Sequence, residues 1–166
     1  MAEQSKANEH LWLLESIADF SEHSLSLVKQ SRRNIAILTR DLDAPVYGTS
    51  EFVQALSDFS RSSRNANVRI LVKDTKAAIA TGHSLVRLAQ RLSSKIMIRK
   101  MTVEPNNKDM GFLLSDTDKL LYKNDDGVYR GFANYAAARE SKPLAEEFNY
   151  LWQYSEAEPE FQLLHI

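Results

Sequence analysis

Any chemistry in this chain has to begin with its four histidines, because cysteine is absent. Without thiols there is no disulfide, no thiolate nucleophile and no Cys-ligated zinc or iron–sulfur site. His83 has the most informative neighbours. Gly82-His83 opens a helical pattern that carries Arg87 and Arg91, four and eight residues further on and so on the same face. Lys73 and Asp74 end the preceding apolar run. In open α/β sheets, ligands collect at the carboxyl ends of strands, near helix N-termini that favour anions. Lys73, Asp74, His83 and Arg87 thus make one candidate site, suited to a phosphate-containing ligand. The favoured alternative has His83 hydrogen-bonded to Asp74 or to a backbone carbonyl, with the arginines as a solvated face.

The remaining polar groups offer less. His10 and His23 stand thirteen apart on different faces of one helical pattern, and His165 lies next to the C-terminus, so no metal-ligand spacing arises. Asp41 and Asp43 beside Arg40 would offer oxygen ligands to a cation, but the regular acidic spacing of a calcium loop is missing. There is no phosphate-cradling glycine loop and no nucleophile elbow. No metal or cofactor is expected. Basic residues cluster at Arg32-Arg33, at Arg61 to Arg64, and at Arg87, Arg91, Lys95, Arg99 and Lys100. Converging on one surface, they would give a chain of formal net charge −1 a local positive field and a place for nucleic acid. No aromatic residues are interleaved with them, so nucleic acid is the minor reading.

The elements that must position these residues follow from composition and periodicity. With 166 residues, 43% hydrophobic and 26% charged, the chain fits a single domain with one core. No run of about 18 apolar residues is present to span a membrane, and the start MAEQSKANEHLWLLES does not read as a secretory leader, so a cytoplasmic setting is expected. Leu11, Leu14, Ile17, Ala18, Phe20, Leu25 and Val28 predict one amphipathic helix over Ala7–Gln30, its stripe widened by Trp12 and Leu13. NIAILT (Asn34–Thr39), VRILVKD (Val68–Asp74) and Lys95–Met101 read as strands. Between them lie a helix capped by Thr49 or Ser50 and a helical stretch, Thr75–Ser94, interrupted at Gly82. This rhythm predicts parallel pairing with right-handed crossovers. Met110–Leu114 and Lys119–Lys123, joined through Ser115–Asp118, predict an antiparallel pair, and Val128–Phe132 a further short strand. Pro143 is placed at the first turn of a last helix, and FQLLHI as an edge strand. The fold class expected is α/β: a mixed sheet whose parallel βαβαβ part is followed by an antiparallel hairpin, with helices on both faces. Residues 1–30 form the N-terminal helix, 31–155 the core and 156–166 the tail.

Element order and local wording resemble one half of a phospholipase D superfamily domain. The family's signature is His-x-Lys, four residues, then Asp, with a Gly-Ser or Gly-x-Asn-like turn later on. DMGFLLSD stands in the matching place here, with Asp109 at the histidine position, Gly111 at the lysine position and Asp116 matching. GFAN (Gly131–Asn134) resembles the later turn, with Phe132 replacing the serine or glycine and Asn134 matching. In that family a histidine attacks phosphorus, a second histidine from the paired half protonates the leaving group, and lysines hold the phosphate oxygens. Asp109 brings charge of the wrong sign, about 4 kcal/mol of repulsion at roughly 4 Å and an effective dielectric near 20, and Gly111 supplies no cation.

The resemblance therefore implies a phospholipase D-like domain that has lost its catalytic groups and acts as a binding or interaction module, with no catalytic residues. It implies a homodimer, since single halves of the family pair about a two-fold axis, and Trp12 and Trp152 offer apolar surface for pairing. The chain also resembles bacterial domains of unassigned function. The rival expectation is an enzyme or ligand-binding protein for a phosphorylated small molecule or nucleotide, using Lys73, Asp74, His83, Arg87, Asp116 and Asn134. That rival needs His83 and Asp116 in one cleft.

Overall fold

The apolar runs Asn34–Thr39, Asn67–Val72 and Ile96–Lys100 become neighbouring parallel strands, the first two largely buried and the third, nearer the sheet's edge, leaving Met97 exposed. The structure is a computed structural model and describes residues 9–80 and 83–162. In chain order the elements are β1 (Leu11–Leu14), α1 (Ile17–Gln30), β2 (Asn34–Thr39), α2 (Ala44–Tyr47), α3 (Ser50–Arg61), β3 (Asn67–Val72), α4 (Thr75–Ala80) and α5 (Ser84–Arg91). They continue with β4 (Ile96–Lys100), β5 (Gly111–Ser115), β6 (Lys119–Asp125), β7 (Val128–Asn134), α6 (Ala138–Gln153), β8 (Glu156–Ala157) and α7 (Pro159–Gln162). One mixed sheet runs β1-β7-β6-β5-β2-β3-β4-β8. β2, β3 and β4 are parallel, and every other pairing is antiparallel.

Alternation along the strands sorts side chains onto the two faces. Ile35, Ile37, Val68, Ile70, Ile96 and Ile98 point toward α1, α3 and α5. Ala36, Leu38, Leu71 and Leu114 point the other way and meet Phe148 and Leu151 of α6. Helices therefore cover both faces, as expected. Each fully buried Leu, Ile or Phe contributes about 1.5–3 kcal/mol, and this is what holds the layers together.

Four local expectations need correction. The N-terminal helix is a strand followed by a shorter helix. Ser16 is extended (φ −151°, ψ 163°) and its hydroxyl accepts the Asp19 N–H at 3.1 Å, so α1 starts only at Ile17. The four consecutive apolar residues LWLL ahead of it pair along β7 instead. Pro143 lies inside α6, because the helix already begins at Ala138, where the Ala137 N–H is fixed to the Asp118 carbonyl at 2.7 Å. The proline leaves the Arg139 carbonyl without its helical N–H, a local cost. Gly131–Asn134 is strand, the end of β7, and not a turn. A Cβ at Gly131 would stand 1.8 Å from the Tyr122 carbonyl oxygen, so the glycine is there to let β6 and β7 approach beside the irregular pairing at Lys123/Asp125. In the tail, Phe161 and Gln162 belong to α7 while a two-residue β8 pairs with β4. The rest of the expected edge strand, with His165, lies outside the described residues, as does Gly82.

The tryptophans offered for pairing are partly covered from within. Trp12 packs on the His23 ring at 5.3 Å, and Trp152 stacks on Phe148 at 5.9 Å beneath the guanidinium groups of Arg69 and Arg99.

Candidate functional site

The carboxyl ends of β2 and β3 meet the start of β5 and the β6–β7 turn, and charged residues gather there. Lys73 follows β3 directly. Its ammonium donates to Asp126 Oδ2 at 2.8 Å, to the Lys108 carbonyl at 2.9 Å and to the Met110 carbonyl. All three of its N–H donors are thereby matched. Lys123 projects from β6 on the face of Leu121 and is 9% exposed. It donates to Asp43 Oδ2 at 3.3 Å and to the Asp126 carbonyl at 3.0 Å, and its ammonium lies 4.1 Å from the centre of the Tyr129 ring. Tyr129 in turn donates to Asp43 Oδ1 at 2.6 Å.

The loop after β2 presents these acceptors through an unusual backbone. Leu42 and Asp43 are both left-handed, with φ of 71° and 37°. Two such non-glycine residues in a row cost roughly 1–3 kcal/mol each and persist only when their surroundings hold them. Here Leu42 is buried and its carbonyl accepts from His83 Nε2 at 3.0 Å, while the Asp43 carboxylate takes Lys123 and Tyr129. His83 Nδ1 accepts the Leu85 N–H at 3.1 Å and caps α5, so Nε2 carries the hydrogen that reaches Leu42. Both ring nitrogens are committed. Burial lowers the His83 pKa below its ordinary value, against the Leu42 bond and the nearby Asp41 and Asp43.

Burial also raises the Asp126 carboxyl above its ordinary value, an effect that the Lys73 bond and charge only partly oppose. It raises the Tyr47 and Tyr129 hydroxyls as well, and Asp43 adds to both shifts. The pocket that this cluster leaves open, lined by Thr39, Arg40, Tyr47, Gly111, Lys123 and Asp126, measures about 20 Å³. That is room for roughly one water molecule. A Cβ at Gly111 would point into the same cluster, 3.2 Å from the Leu38 carbonyl and 3.5 Å from Asp126 Oδ1. A long side chain at that position would meet the ion pairs that now fill the space.

The six candidate residues from the sequence are divided between the two ends of the sheet. Lys73 and Asp74 lie at the carboxyl end, where Asp74 Oδ1 accepts the Ala77 N–H and opens α4. His83 and Arg87 line a separate groove of about 490 Å³ together with Val53, Ile79, Arg91 and Phe161, and Lys73 is not part of it. Asp116, left-handed at φ 54°, sits at the opposite end, beside the start of β2. Its carboxylate accepts the backbone N–H groups of Arg32, Arg33 and Asn34 at 2.8–3.1 Å. Asn134 is at that end too, bonded to Glu140 and to the Ala136 N–H. His83 and Asp116 do not share a cleft, and His83 is fixed to a backbone carbonyl.

Sequence reasoning missed Lys123, Asp126 and Tyr129. Lys123 had a visible signal, since it shares the strand parity of the buried Leu121 and so had to bring a charge inward. Among the described residues, no group of three His, Cys, Asp or Glu is arranged to hold a metal ion, and no helix is long and apolar enough to cross a membrane.

Comparison with solved structures supplies the fold's relatives. TrmBL2, an archaeal chromatin protein whose structure shows a novel mode of DNA binding, superposes with a TM-score of 0.65 at 14% identity, over 93% of this chain and 56% of that one. This chain thus spans little more than half the length of TrmBL2. Nuc from Salmonella typhimurium, a phospholipase D family member, gives a TM-score of 0.56 at 11% identity over 81% of this chain and 88% of its own. NucT from Helicobacter pylori gives 0.59 at 9% identity, over 89% and 97%. The fold is phospholipase D-like. No curated protein matches the sequence. The model of one family, described as a domain of unknown function (DUF7931), matches residues 16–164, and the chain belongs to that family.

Proposed function

We propose that this domain is a non-catalytic, phospholipase D-like binding module. The observation that carries this reading is the internal pairing at the carboxyl end of the sheet: Lys73 has three protein acceptors, Lys123 is held by Asp43 and the Asp126 carbonyl, and neither ammonium is left for a phosphoryl oxygen. Cleavage would also need a nucleophile beside β5, where Asp109 and Gly111 stand, and His83 has both nitrogens engaged elsewhere. The module would work in the cytoplasm, in keeping with a chain free of cysteine. It would act as a pair of copies, for which exposed Met97, Tyr150 and Tyr154 supply apolar surface.

The test is incubation of the purified chain with bis(p-nitrophenyl) phosphate, a generic phosphodiester, and with plasmid DNA. No release of nitrophenol and no nicking above the buffer rate are expected. Turnover that disappears in Asp109→Ala would overturn the reading. Sedimentation at twice the 18.9 kDa chain mass supports pairing, and a single-chain mass at all concentrations removes that part.

A further inference from the structure

We propose that the edge of the sheet opposite the ion-pair cluster docks the phosphate backbone of double-stranded nucleic acid. This deepens the reading of a binding module by naming a surface and a partner. The amino ends of β2, β3 and β4 open on this edge, and the helices that run back over the sheet finish there. α1, α3 and α5 each carry a basic residue in the last turn, Lys29, Arg61 and Arg91 respectively. Arg32 and Arg33 precede β2, and Arg64 lies in the turn before β3, which Lys95 fixes by donating to the Ser63 and Arg64 carbonyls at 2.9 and 2.8 Å.

A cation at each helix C-terminus is accounted for by the helix dipole. Arg32, Arg33 and Arg64 exceed that requirement. All three, with Arg91, are exposed, and their guanidinium groups have no hydrogen bond or ion pair among the described residues. The nearby carboxylates are turned to other partners. Asp58 is 3.6 Å from Arg61, Asp118 is 3.1 Å from Lys119, and Asp116 holds the backbone N–H groups at the start of β2. Guanidinium forks of this kind match phosphate oxygens in pairs.

Strand spacing sets the scale. Three adjacent strands put the row over about 10 Å, a length over which a duplex presents roughly six phosphate charges. None of the exposed large apolar side chains, Leu13, Ile17, Met97, Val128, Tyr150 and Tyr154, belongs to these turns. The surface therefore lacks the stacking residues that a single strand needs and the apolar wedge that would enter a lipid layer. Backbone contact without base readout remains, and this predicts tolerance of sequence and strong dependence on salt. Arg99 and Lys100 end β4 at the other edge, with Arg99 bonded to Ser155, and take no part.

The experiment follows fluorescence anisotropy of a labelled mixed-sequence duplex of about 20 base pairs, titrated with the whole chain between about 50 and 200 mM salt. Four arginine contacts give a slope of log affinity against log salt near −3 to −4. Arg64→Ala with Arg91→Ala should reduce that slope by about 2 and weaken binding at least tenfold, while Lys100→Ala changes neither. Circular dichroism melts of the variants should be unaltered, since the side chains are exposed. A salt-independent signal, an equal loss in Lys100→Ala, or tighter binding to a single strand overturns the proposal. So does binding to phosphatidylserine–phosphatidylcholine vesicles with none to the duplex. A bound duplex that is also cut leaves this surface standing and sinks the non-catalytic reading. An intact duplex that is never bound does the reverse.

Discussion

Lys73 Nζ and Asp126 Oδ2 stand 2.8 Å apart with their side chains only 11% and 15% exposed, and this pair closes the carboxyl end of the parallel strands. The two residues come from distant parts of the chain, one after β3 and the other in the β6–β7 turn. Their contact ties the parallel half of the sheet to the antiparallel half. The same turn sends its Asp126 N–H to the Asp109 carbonyl at 2.8 Å, so the loop ahead of β5 is secured to both.

Removing one partner should be costly. Lys73→Met leaves a largely buried carboxylate without its counter-charge and strips two carbonyls of their donor, and a loss of about 3–5 kcal/mol is expected in urea denaturation. Lys73→Met combined with Asp126→Leu should recover much of that loss, because the uncompensated charge is gone. A single variant within about 1 kcal/mol of the parent would mean that the pair does not close this end.

The same carboxylate gives a pH dependence with a definite sign. Burial raises the Asp126 pKa more than Lys73 lowers it, so between the unfolded and folded values the native state binds more protons than the unfolded state. Stability contributed by this group therefore falls as pH rises through the carboxylate range. Asp126→Asn cannot titrate. The difference in unfolding free energy between parent and variant should shrink steadily from about pH 3 to about pH 6, and a difference that grows over that interval would refute the assignment.

How far the fold was legible depends on whether local pattern or distant pairing decided each element. Asn34–Thr39 is a strand with the bounds its apolar run implies, since a short β-branched stretch between charged turns has few alternatives. Leu11, Leu14, Ile17 and Ala18 all satisfy helical spacing, and only the match of Leu11–Leu14 to Gly131–Asn134, more than a hundred residues away, makes Leu11–Leu14 a strand while Ile17 and Ala18 stay helical. The site behaves likewise. Lys73 was visible as a cation at a strand end, but Asp126 is 53 residues further on, and nothing near either residue announces the other. Asp116 was visible as a turn residue, yet the three N–H groups it holds belong to a segment more than eighty residues earlier.

Asp116 gives a third prediction. Its left-handed backbone and its three N–H contacts make separate demands, which substitutions can divide. Asp116→Asn keeps an acceptor oxygen and tolerates φ 54°, and should cost about 1 kcal/mol. Asp116→Ala loses the acceptor and strains the turn, for about 3 kcal/mol. Asp116→Gly relieves the strain but still orphans the N–H groups, and should fall between the two. Urea denaturation ranks the three variants. A glycine variant as stable as the parent would show that the carboxylate contributes nothing.

His83 and His23 supply the last prediction, at mildly acid pH. Both pKa values are lowered, chiefly by burial, so each folded ring holds its proton less tightly than the unfolded one. As pH falls through the unfolded value near 6.5, the unfolded state takes up protons first, and stability drops by up to about 1.4 kcal/mol per pH unit for each ring. His83→Asn keeps an oxygen for the Leu85 N–H but abandons the Leu42 carbonyl. It should therefore be about 1–2 kcal/mol less stable at pH 8 while losing less stability on acidification. Chemical denaturation between about pH 8 and pH 5 reads both effects together. Parallel profiles for parent and variant would mean that His83 is free to charge in the folded state, and with that the assignment of its two hydrogen bonds would fall.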